Sequence, residues 1–242
     1  TRRGKPTVQS KWNPEQAINA GDGIKDLSLL VLTDLSSSSQ PKKTLEAIDT
    51  LGKYSLRMIE GQVMDLDYME RRDIDIDSYL EMISAKTCAL LEGAFHLGGI
   101  YSSVDEGEMD KLISFGRYLG YVYQIRDDWL GIWGQPEESG KSVLSDMEEK
   151  KRSFPVVCAL QEAKGDYLAR LKELYFRDGK LERNEAEEVR KILSELGASE
   201  KTEEWAKKYW NHAEKQLEET EMADWAKSEL KEFGSFLLTR KK

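Results

Sequence analysis

The chain has 242 residues, enough for one large domain or two small ones. It carries 36 basic and 45 acidic side chains and a formal net charge of −9, which excludes a general nucleic-acid binder, because affinity for a phosphate backbone needs clustered Lys and Arg. The sequence shows neither a signal peptide nor an apolar run near the ~18 residues of a membrane helix. We therefore expect a soluble, cytoplasmic protein with no nucleic-acid partner and no stable membrane insertion.

The rarer residues also limit the fold. Only 5 prolines are present, which favours long uninterrupted helices. Cys88 and Cys158 lie in apolar segments without CxxC spacing. They are predicted to be buried thiols rather than a disulfide or a zinc site.

The first predicted helix begins at Asn13, a capping residue that is followed by Pro14 at the first helical position. It ends near Leu35. Its dense apolar residues predict a helix that is buried on most sides.

Three further long helices are predicted to span residues of about 43–69, 78–100 and 103–132. Ser103 and Glu106 offer a capping box for the last of them. Shorter amphipathic helices follow from Phe154, and no alternating strand pattern stands out. The pattern favours a single all-α domain over residues 1–242.

The sharpest chemical feature is the segment YQIRDDWLG, from Tyr123 to Gly131. On a helix Gln124, Asp127 and Asp128 point in related directions, because three and four residues each make about one turn. Adjacent carboxylates on a largely apolar helix are costly unless water or a cation neutralises them. Mg²⁺ needs only one or two carboxylates besides substrate phosphate. This segment alone leaves open a solvated acidic pair on an exposed face.

Several basic side chains could hold an anion. Lys86 and Thr87 lie within an apolar helix, where a Lys either reaches solvent or points to an anion in a cavity. Lys141 and Lys151 follow the acidic helix, and Lys suits phosphate oxygens. Arg2-Arg3 can bind phosphate through paired hydrogen bonds or form a disordered basic end. Polar residues that interrupt separate apolar helices indicate a polar cavity inside a bundle.

Taken together, these motifs resemble the trans-isoprenyl (polyprenyl) diphosphate synthase family, of the short-chain type. The resemblance extends from residue 2 to about residue 160. The matching segments, in the order of the family, are Arg2-Arg3-Gly4, AINAGD at 17–22, Gly61-Gln62 with Asp65-Leu66, Lys86-Thr87, Tyr123-Gln124 with Asp127-Asp128, Gly140-Lys141 with Ser145-Asp146, and Lys151 with Ser153. The resemblance implies an isoprenoid-synthase-type helical bundle around a central cavity.

The resemblance also implies an activity. The protein would be a prenyltransferase that condenses isopentenyl diphosphate head to tail with an allylic diphosphate, giving a longer trans polyprenyl diphosphate. The implied cofactor is Mg²⁺ and the implied assembly is a homodimer.

The family's functional residues carry over onto this chain one by one. Asp127 is expected to ligate magnesium, with Asp128 in support. Lys86, Thr87 and Gln124 are the expected catalytic residues, with the oxygens of Thr87 and Gln124 facing the developing allylic cation. The expected diphosphate-binding residues are Arg2, Lys86, Lys141 and Lys151 for the allylic substrate and Arg3 for isopentenyl diphosphate.

Two departures from the family pattern accompany the resemblance. Gly131 stands where the family usually has a third Asp, so this position cannot ligate a metal. The family's first aspartate motif and N-terminal helices are absent from this chain, and we expect the protein to extend upstream by a small helical block. These departures keep two alternatives open: a non-catalytic partner subunit of an active synthase, and a terpene cyclase of the same fold.

Overall fold

The computed structural model describes residues 5–34, 40–134 and 144–240, and no β-strand occurs in these ranges. The helices are α1 (Val8–Lys11), α2 (Pro14–Asp34), α3 (Pro41–Glu70), α4 (Ile76–Ile83), a π-helical turn (Ser84–Cys88), α5 (Ala89–Ser102), α6 (Glu106–Trp133), α7 (Ser145–Glu148), α8 (Phe154–Glu162), α9 (Gly165–Phe176), α10 (Arg183–Glu195), α11 (Ala198–Glu218) and α12 (Asp224–Thr239). The prediction of an all-α fold is confirmed, whereas the single domain over residues 1–242 stays a prediction.

Helix α6 lies at the centre of the molecule. Phe115, Leu119 and Val122 pack against Trp210 of α11. Further along the helix, Ile125 packs with the residues of α4 and α8, and Ile132 joins the core of α7 to α10. A helix that is buried on several sides has little freedom to rotate, so its polar residues keep a fixed direction.

The predicted burial of the first helix is wrong. In α2 only Leu32 is buried, whereas Ile18, Ile24, Leu27 and Leu30 are exposed. Apolar density predicts that a helix will be covered, but it does not say by which partner. None of the described residues covers this face.

The start of α6 also differs from the prediction. Asp105 rather than Ser103 caps the helix, and its carboxylate accepts a 2.8 Å hydrogen bond from the backbone N–H of Glu108. Ser103 instead ends α5 in a left-handed conformation with φ of 57°. Both residues are good helix caps, and the tight turn between α5 and α6 decided between them.

Two other expectations concern the cysteines and the membrane. Cys88 and Cys158 are free and buried, as predicted. No helix in the described ranges combines the length and the apolar character that crossing a bilayer requires. The cytoplasmic location stays a prediction.

Candidate active site

Lys86 and Thr87 lie on the π-helical turn between α4 and α5. Such turns occur frequently at functional sites. Helix α3 crosses the turn at Gly61, where an added Cβ would lie 2.6 Å from the carbonyl carbon of Ala85. Only glycine lets the two backbones approach so closely. The crossing brings Asp65 to the turn, where its carboxylate accepts a 2.5 Å hydrogen bond from Nζ of Lys86.

An ion-pair network around one buried carboxylate anchors the first residue of this turn. Glu92 of α5 is only 1% exposed and accepts hydrogen bonds from Nη1 of Arg57 at 2.7 Å and Nε of Arg117 at 2.9 Å. Arg57 also donates to the carbonyl oxygen of Ser84 at 2.9 Å and to its hydroxyl at 2.6 Å. The network therefore connects α3, α5 and α6 to the turn that carries Lys86.

A chain of hydrogen bonds runs from the π turn to α6. The hydroxyl of Thr87 donates to Oε1 of Gln124 at 2.7 Å, and Nε2 of Gln124 donates to Oδ1 of Asp128 at 2.9 Å. Gln124 and Asp128 are four residues apart, so one helical turn brings their side chains together. The other carboxylate oxygen of Asp128 accepts from the hydroxyl of Tyr79 at 2.6 Å and the backbone N–H of Phe154 at 2.7 Å.

Asp128 is therefore a well-supported carboxylate inside the protein. Burial raises its pKa to about 6, although the hydrogen bonds from Tyr79, Phe154 and Gln124 act in the opposite direction. Its two oxygens already accept three hydrogen bonds. Its geometry suits the support of neighbouring groups better than direct contact with a ligand.

Asp127 has a more open position. Its side chain is 51% exposed, and Oδ1 lies 3.1 Å from Nη2 of Arg240. The pKa of Asp127 is raised above its ordinary value, mainly by partial burial. The charge of Arg240 acts in the opposite direction, and the nearby negative charge of Asp146 adds to the increase. Asp127 is thus the carboxylate of the pair that a ligand can reach.

Asp146 and Lys151, from the segment that follows α6, add another ion pair to the site. We call the site residues of the π turn, α6 and this segment the polar group. Nζ of Lys151 lies 2.6 Å from Oδ1 of Asp146. The pKa of Lys151 is raised, because its contacts with Asp146 outweigh the effect of burial, and the charge of Asp65 contributes. A Cβ added at Gly131 would lie 3.4 Å from Oδ2 of Asp146. The Asp146 carboxylate therefore lies beside the position at which the family pattern usually has its third Asp.

Most of the predicted site residues meet in this polar group. Those that the structure brings together are Lys86, Thr87, Gln124, Asp127, Asp128 and Lys151. The other predicted residues, Arg2, Arg3 and Lys141, lie outside the described ranges. The roles of all nine residues stay predictions.

Four residues that the structure places here had no predicted role. Asp65, the partner of Lys86, stands in the matched segment that begins at Gly61. Asp146 stands in a matched motif, and its presence there was the signal that could have identified it. Tyr79 and Arg240 stand in no motif and are 49 and 113 residues from their carboxylate partners. No local pattern could have identified them.

The carboxylates suit a metal that shares its coordination with a substrate. Within the described ranges, no three His, Cys, Asp or Glu side chains are grouped to hold a metal ion by themselves. The negative charge of Asp146 lies near enough to Asp127 to raise the pKa of Asp127. Mg²⁺ keeps several waters and needs only one or two carboxylates plus substrate phosphate, so this pair fits it better than it fits a metal that needs a full protein cage.

The fold and the site together define an all-α protein of the isoprenoid-synthase type, with carboxylates and lysines gathered around one central helix. Comparison with known proteins agrees. A family model described as polyprenyl synthetase matches residues 1–196, and the chain belongs to this family.

Individual relatives show the extent of the similarity. The chain is 34% identical over 155 residues to the (2E,6E)-farnesyl diphosphate synthase of Mycobacterium tuberculosis, across 64% of this chain and 42% of that protein. It superposes on a geranylgeranyl pyrophosphate synthase with a TM-score of 0.90 and 29% identity, over 100% of this chain and 74% of that one. A polyprenyl synthase from Caulobacter crescentus CB15, complexed with calcium and isoprenyl diphosphate, superposes with a TM-score of 0.87 and 25% identity over 100% and 71%. The match thus spans less than half of the mycobacterial relative's length.

Proposed function

We propose that this protein is a prenyltransferase that condenses isopentenyl diphosphate with an allylic diphosphate to give a longer polyprenyl diphosphate. The observation that carries this proposal is the hydrogen-bond chain from Thr87 through Gln124 to Asp128. Lys86 precedes Thr87 on the π turn, and the reachable carboxylate of Asp127 lies near enough to Lys151 for that charge to affect its pKa. Membership of the polyprenyl synthetase family supports the proposal. So do relatives that are named farnesyl and geranylgeranyl diphosphate synthases.

Mg²⁺ is the proposed cofactor, with Asp127 as its ligand and Asp128 in support. The exposed carboxylate of Asp127 and the nearby charge of Asp146 favour a divalent cation. The Caulobacter relative was solved with calcium and isoprenyl diphosphate. When bound, the ion would neutralise the negative charge that develops on a departing diphosphate.

The side chains have distinct roles in this proposal. Lys86 and Lys151 hold the diphosphate of the allylic substrate, and Arg2 and Lys141 are proposed to join them. As that diphosphate leaves, positive charge develops on the allylic carbon. The oxygens of Thr87 and Gln124 stabilise this charge, because fixed dipoles cost no reorganisation when the charge appears. Arg3 is proposed to hold the diphosphate of isopentenyl diphosphate.

An elongation assay tests the proposal. Purified full-length protein is incubated with Mg²⁺, labelled isopentenyl diphosphate and dimethylallyl, geranyl or farnesyl diphosphate, and the products are separated by chain length. Asp127→Ala is expected to lower turnover by orders of magnitude with unchanged helical circular dichroism. Lys86→Gln is expected to lower kcat/KM by roughly 10²-fold or more. The matched control is Lys53→Gln, which removes an exposed lysine that forms an ion pair with Asp49.

The outcomes separate the alternatives. Longer prenyl diphosphates support elongation. Cyclic hydrocarbon from the allylic substrate alone supports a terpene cyclase, and turnover that requires a second subunit supports a non-catalytic partner. Unchanged turnover in Asp127→Ala would remove Asp127 from the mechanism.

A homodimer is the proposed assembly, with a second copy covering an apolar surface on α2 and α3. The residues of this surface, all exposed, are Ile18, Ile24, Leu27, Leu30 and Val31 of α2 and Leu45, Leu56, Ile59, Val63 and Leu66 of α3. Helices α2 and α3 are neighbours, and many exposed apolar side chains on neighbouring helices indicate an interaction site. Light scattering of the full-length protein is expected to give a dimer that Leu30→Glu converts to monomer. Trp225→Glu, a control at an exposed position of α12, should leave the dimer intact. A monomeric wild type would contradict the homodimer and would favour an upstream segment of the chain as the cover.

A further inference from the structure

The end of the last helix reaches the aspartate motif of α6. Arg240 follows directly after α12. Its guanidinium lies 3.1 Å from the Oδ1 atom of Asp127 and its Cζ atom lies 4.8 Å from the ring centre of Tyr123. The Arg240 side chain is only 14% exposed. It is therefore enclosed against the motif and does not extend into solvent.

A second arginine holds Arg240 in this position. Arg126, which immediately precedes Asp127, is buried, and both its Nε and Nη2 atoms donate to the carbonyl oxygen of Arg240, at 3.1 and 2.7 Å. Its Nη1 atom donates to Glu203 at 3.2 Å, and its guanidinium stacks 4.0 Å from the ring centre of Trp129. Two hydrogen bonds to one carbonyl oxygen fix the backbone of Arg240 relative to α6.

Arg240 therefore occupies the carboxylate that the proposed function assigns to a metal. A guanidinium on Oδ1 of Asp127 weakens the binding of a divalent cation to the same carboxylate, because the two positive charges repel each other. The Nε atom of Arg240 is buried and has no hydrogen-bond partner among the described residues. A planar guanidinium with a free donor suits a phosphate group, which can accept paired hydrogen bonds.

We propose that Arg240 is a resident counter-ion of this site, held on Asp127 by Arg126. It competes with the divalent cation until a diphosphate group draws the guanidinium away. Arg126 is then a positioning residue that acts through Arg240. This inference rests on the proposed function, because it needs Asp127 to be a metal ligand.

The affinity of the full-length protein for Mn²⁺ tests the inference, since carboxylate sites for Mg²⁺ also accept Mn²⁺. Free Mn²⁺ is measured by electron paramagnetic resonance, without pyrophosphate and with one saturating concentration of inorganic pyrophosphate. The Mn²⁺ that pyrophosphate chelates by itself is measured without protein and subtracted. Without pyrophosphate, Arg240→Gln is expected to bind Mn²⁺ about three- to fivefold more tightly than wild type, the upper part of the range for a partly exposed ion pair. With pyrophosphate the difference should shrink to about twofold or less, because Arg240 has then left Asp127. Lys231→Gln is the control, since it removes an exposed positive charge from the same helix, in an ion pair with Glu218.

A double-mutant cycle tests the role of Arg126. Arg126→Gln should also tighten Mn²⁺ binding, but it should have no further effect in protein that already carries Arg240→Gln. A merely structural role for Arg126 would change the Mn²⁺ affinity in both backgrounds alike. Circular dichroism confirms that each variant is folded.

The results distinguish failure of the inference from failure of the proposed function. Equal Mn²⁺ affinities of wild type and Arg240→Gln without pyrophosphate would overturn the inference alone. A difference that pyrophosphate does not reduce would overturn the release of Arg240 by diphosphate. Absence of Mn²⁺ binding in every variant, with and without pyrophosphate, would refute the metal site of the proposed function and the inference with it.

Discussion

Replacing Glu92 by Gln is expected to destabilise both the protein and its site. The change removes the negative charge that Arg57 and Arg117 share, and Glu92 itself is 1% exposed. Breaking a buried ion pair from one side costs about 3–5 kcal/mol, because the remaining charge is left without a partner. Here the two arginine side chains are 31% and 45% exposed, so water solvates them in part. We therefore expect a loss of about 2–3 kcal/mol.

Thermal unfolding followed by circular dichroism gives the measurement. For a protein of this size, ~1 kcal/mol corresponds to about 2–4 °C, so Tm should fall by roughly 4–12 °C. The control is Asp49→Asn, which breaks the ion pair between Asp49 and Lys53. The side chains of these two residues are 60% and 75% exposed, respectively. It should change the free energy of unfolding by ~0.5 kcal/mol or less.

The consequence for the site follows from Ser84. Arg57 donates to both oxygens of Ser84 at the start of the π turn, so an Arg57 that has lost Glu92 holds the turn less firmly. Turnover by Glu92→Gln should fall even at temperatures at which the variant is fully folded. A Tm equal to that of wild type would refute the reasoning, because the buried carboxylate would then contribute nothing.

Three further predictions concern single positions in or near the site. Gly61→Ala should cost about 1–3 kcal/mol of unfolding free energy, whereas Gly52→Ala in the same helix, where an added Cβ meets nothing within 4 Å, should stabilise by ~0.5–1 kcal/mol. Urea unfolding measures both, and equal effects would contradict the close helix crossing. Burial raises the pKa of Cys88 well above its ordinary value, so its reactive thiolate is scarce in the folded protein. Iodoacetamide should therefore label Cys88 at pH 8 only after unfolding. Rapid labelling of Cys88 in the folded protein would contradict the burial of this thiol. Burial also raises the pKa of Asp128 from 3.8 to about 6, so the folded protein binds the Asp128 proton more tightly than the unfolded chain does, and the stability that this proton provides is lost as pH rises. In metal-free buffer, urea melts between about pH 4 and pH 7 should therefore show wild type losing up to ~3 kcal/mol of unfolding free energy relative to Asp128→Asn. Parallel pH profiles of the two proteins would refute the shift.

The helices were predictable because their signals are local. The cap at Asn13 is confirmed, since its side chain accepts a 2.8 Å hydrogen bond from the backbone N–H of Gln16. The predicted helices near residues 43–69, 78–100 and 103–132 are confirmed within a few residues of their ends. The π turn within the second of these was not predicted. It depends on the backbone of α3 crossing at Gly61, which is a contact between distant parts of the chain.

The site was predictable only in part. Gln124 and Asp128 lie one helical turn apart, so their contact could be predicted from spacing alone, and the resemblance to a family indicated Lys86, Thr87 and Lys151. The close approach of Asp146 to Gly131 depends on the path of the chain after α6, and no periodicity describes it.

The sequence by itself determined the helical class, the family and most of the polar residues that meet at α6, because helix periodicity and ordered motifs are properties of short segments. Only the tertiary structure decided that α2 leaves its apolar residues exposed, that Tyr79 supports Asp128, and that Arg240 lies on Asp127. Each of these depends on which surfaces come together after the helices have formed. The free energy of such contacts depends on distance in space, and separation along the chain carries no information about it.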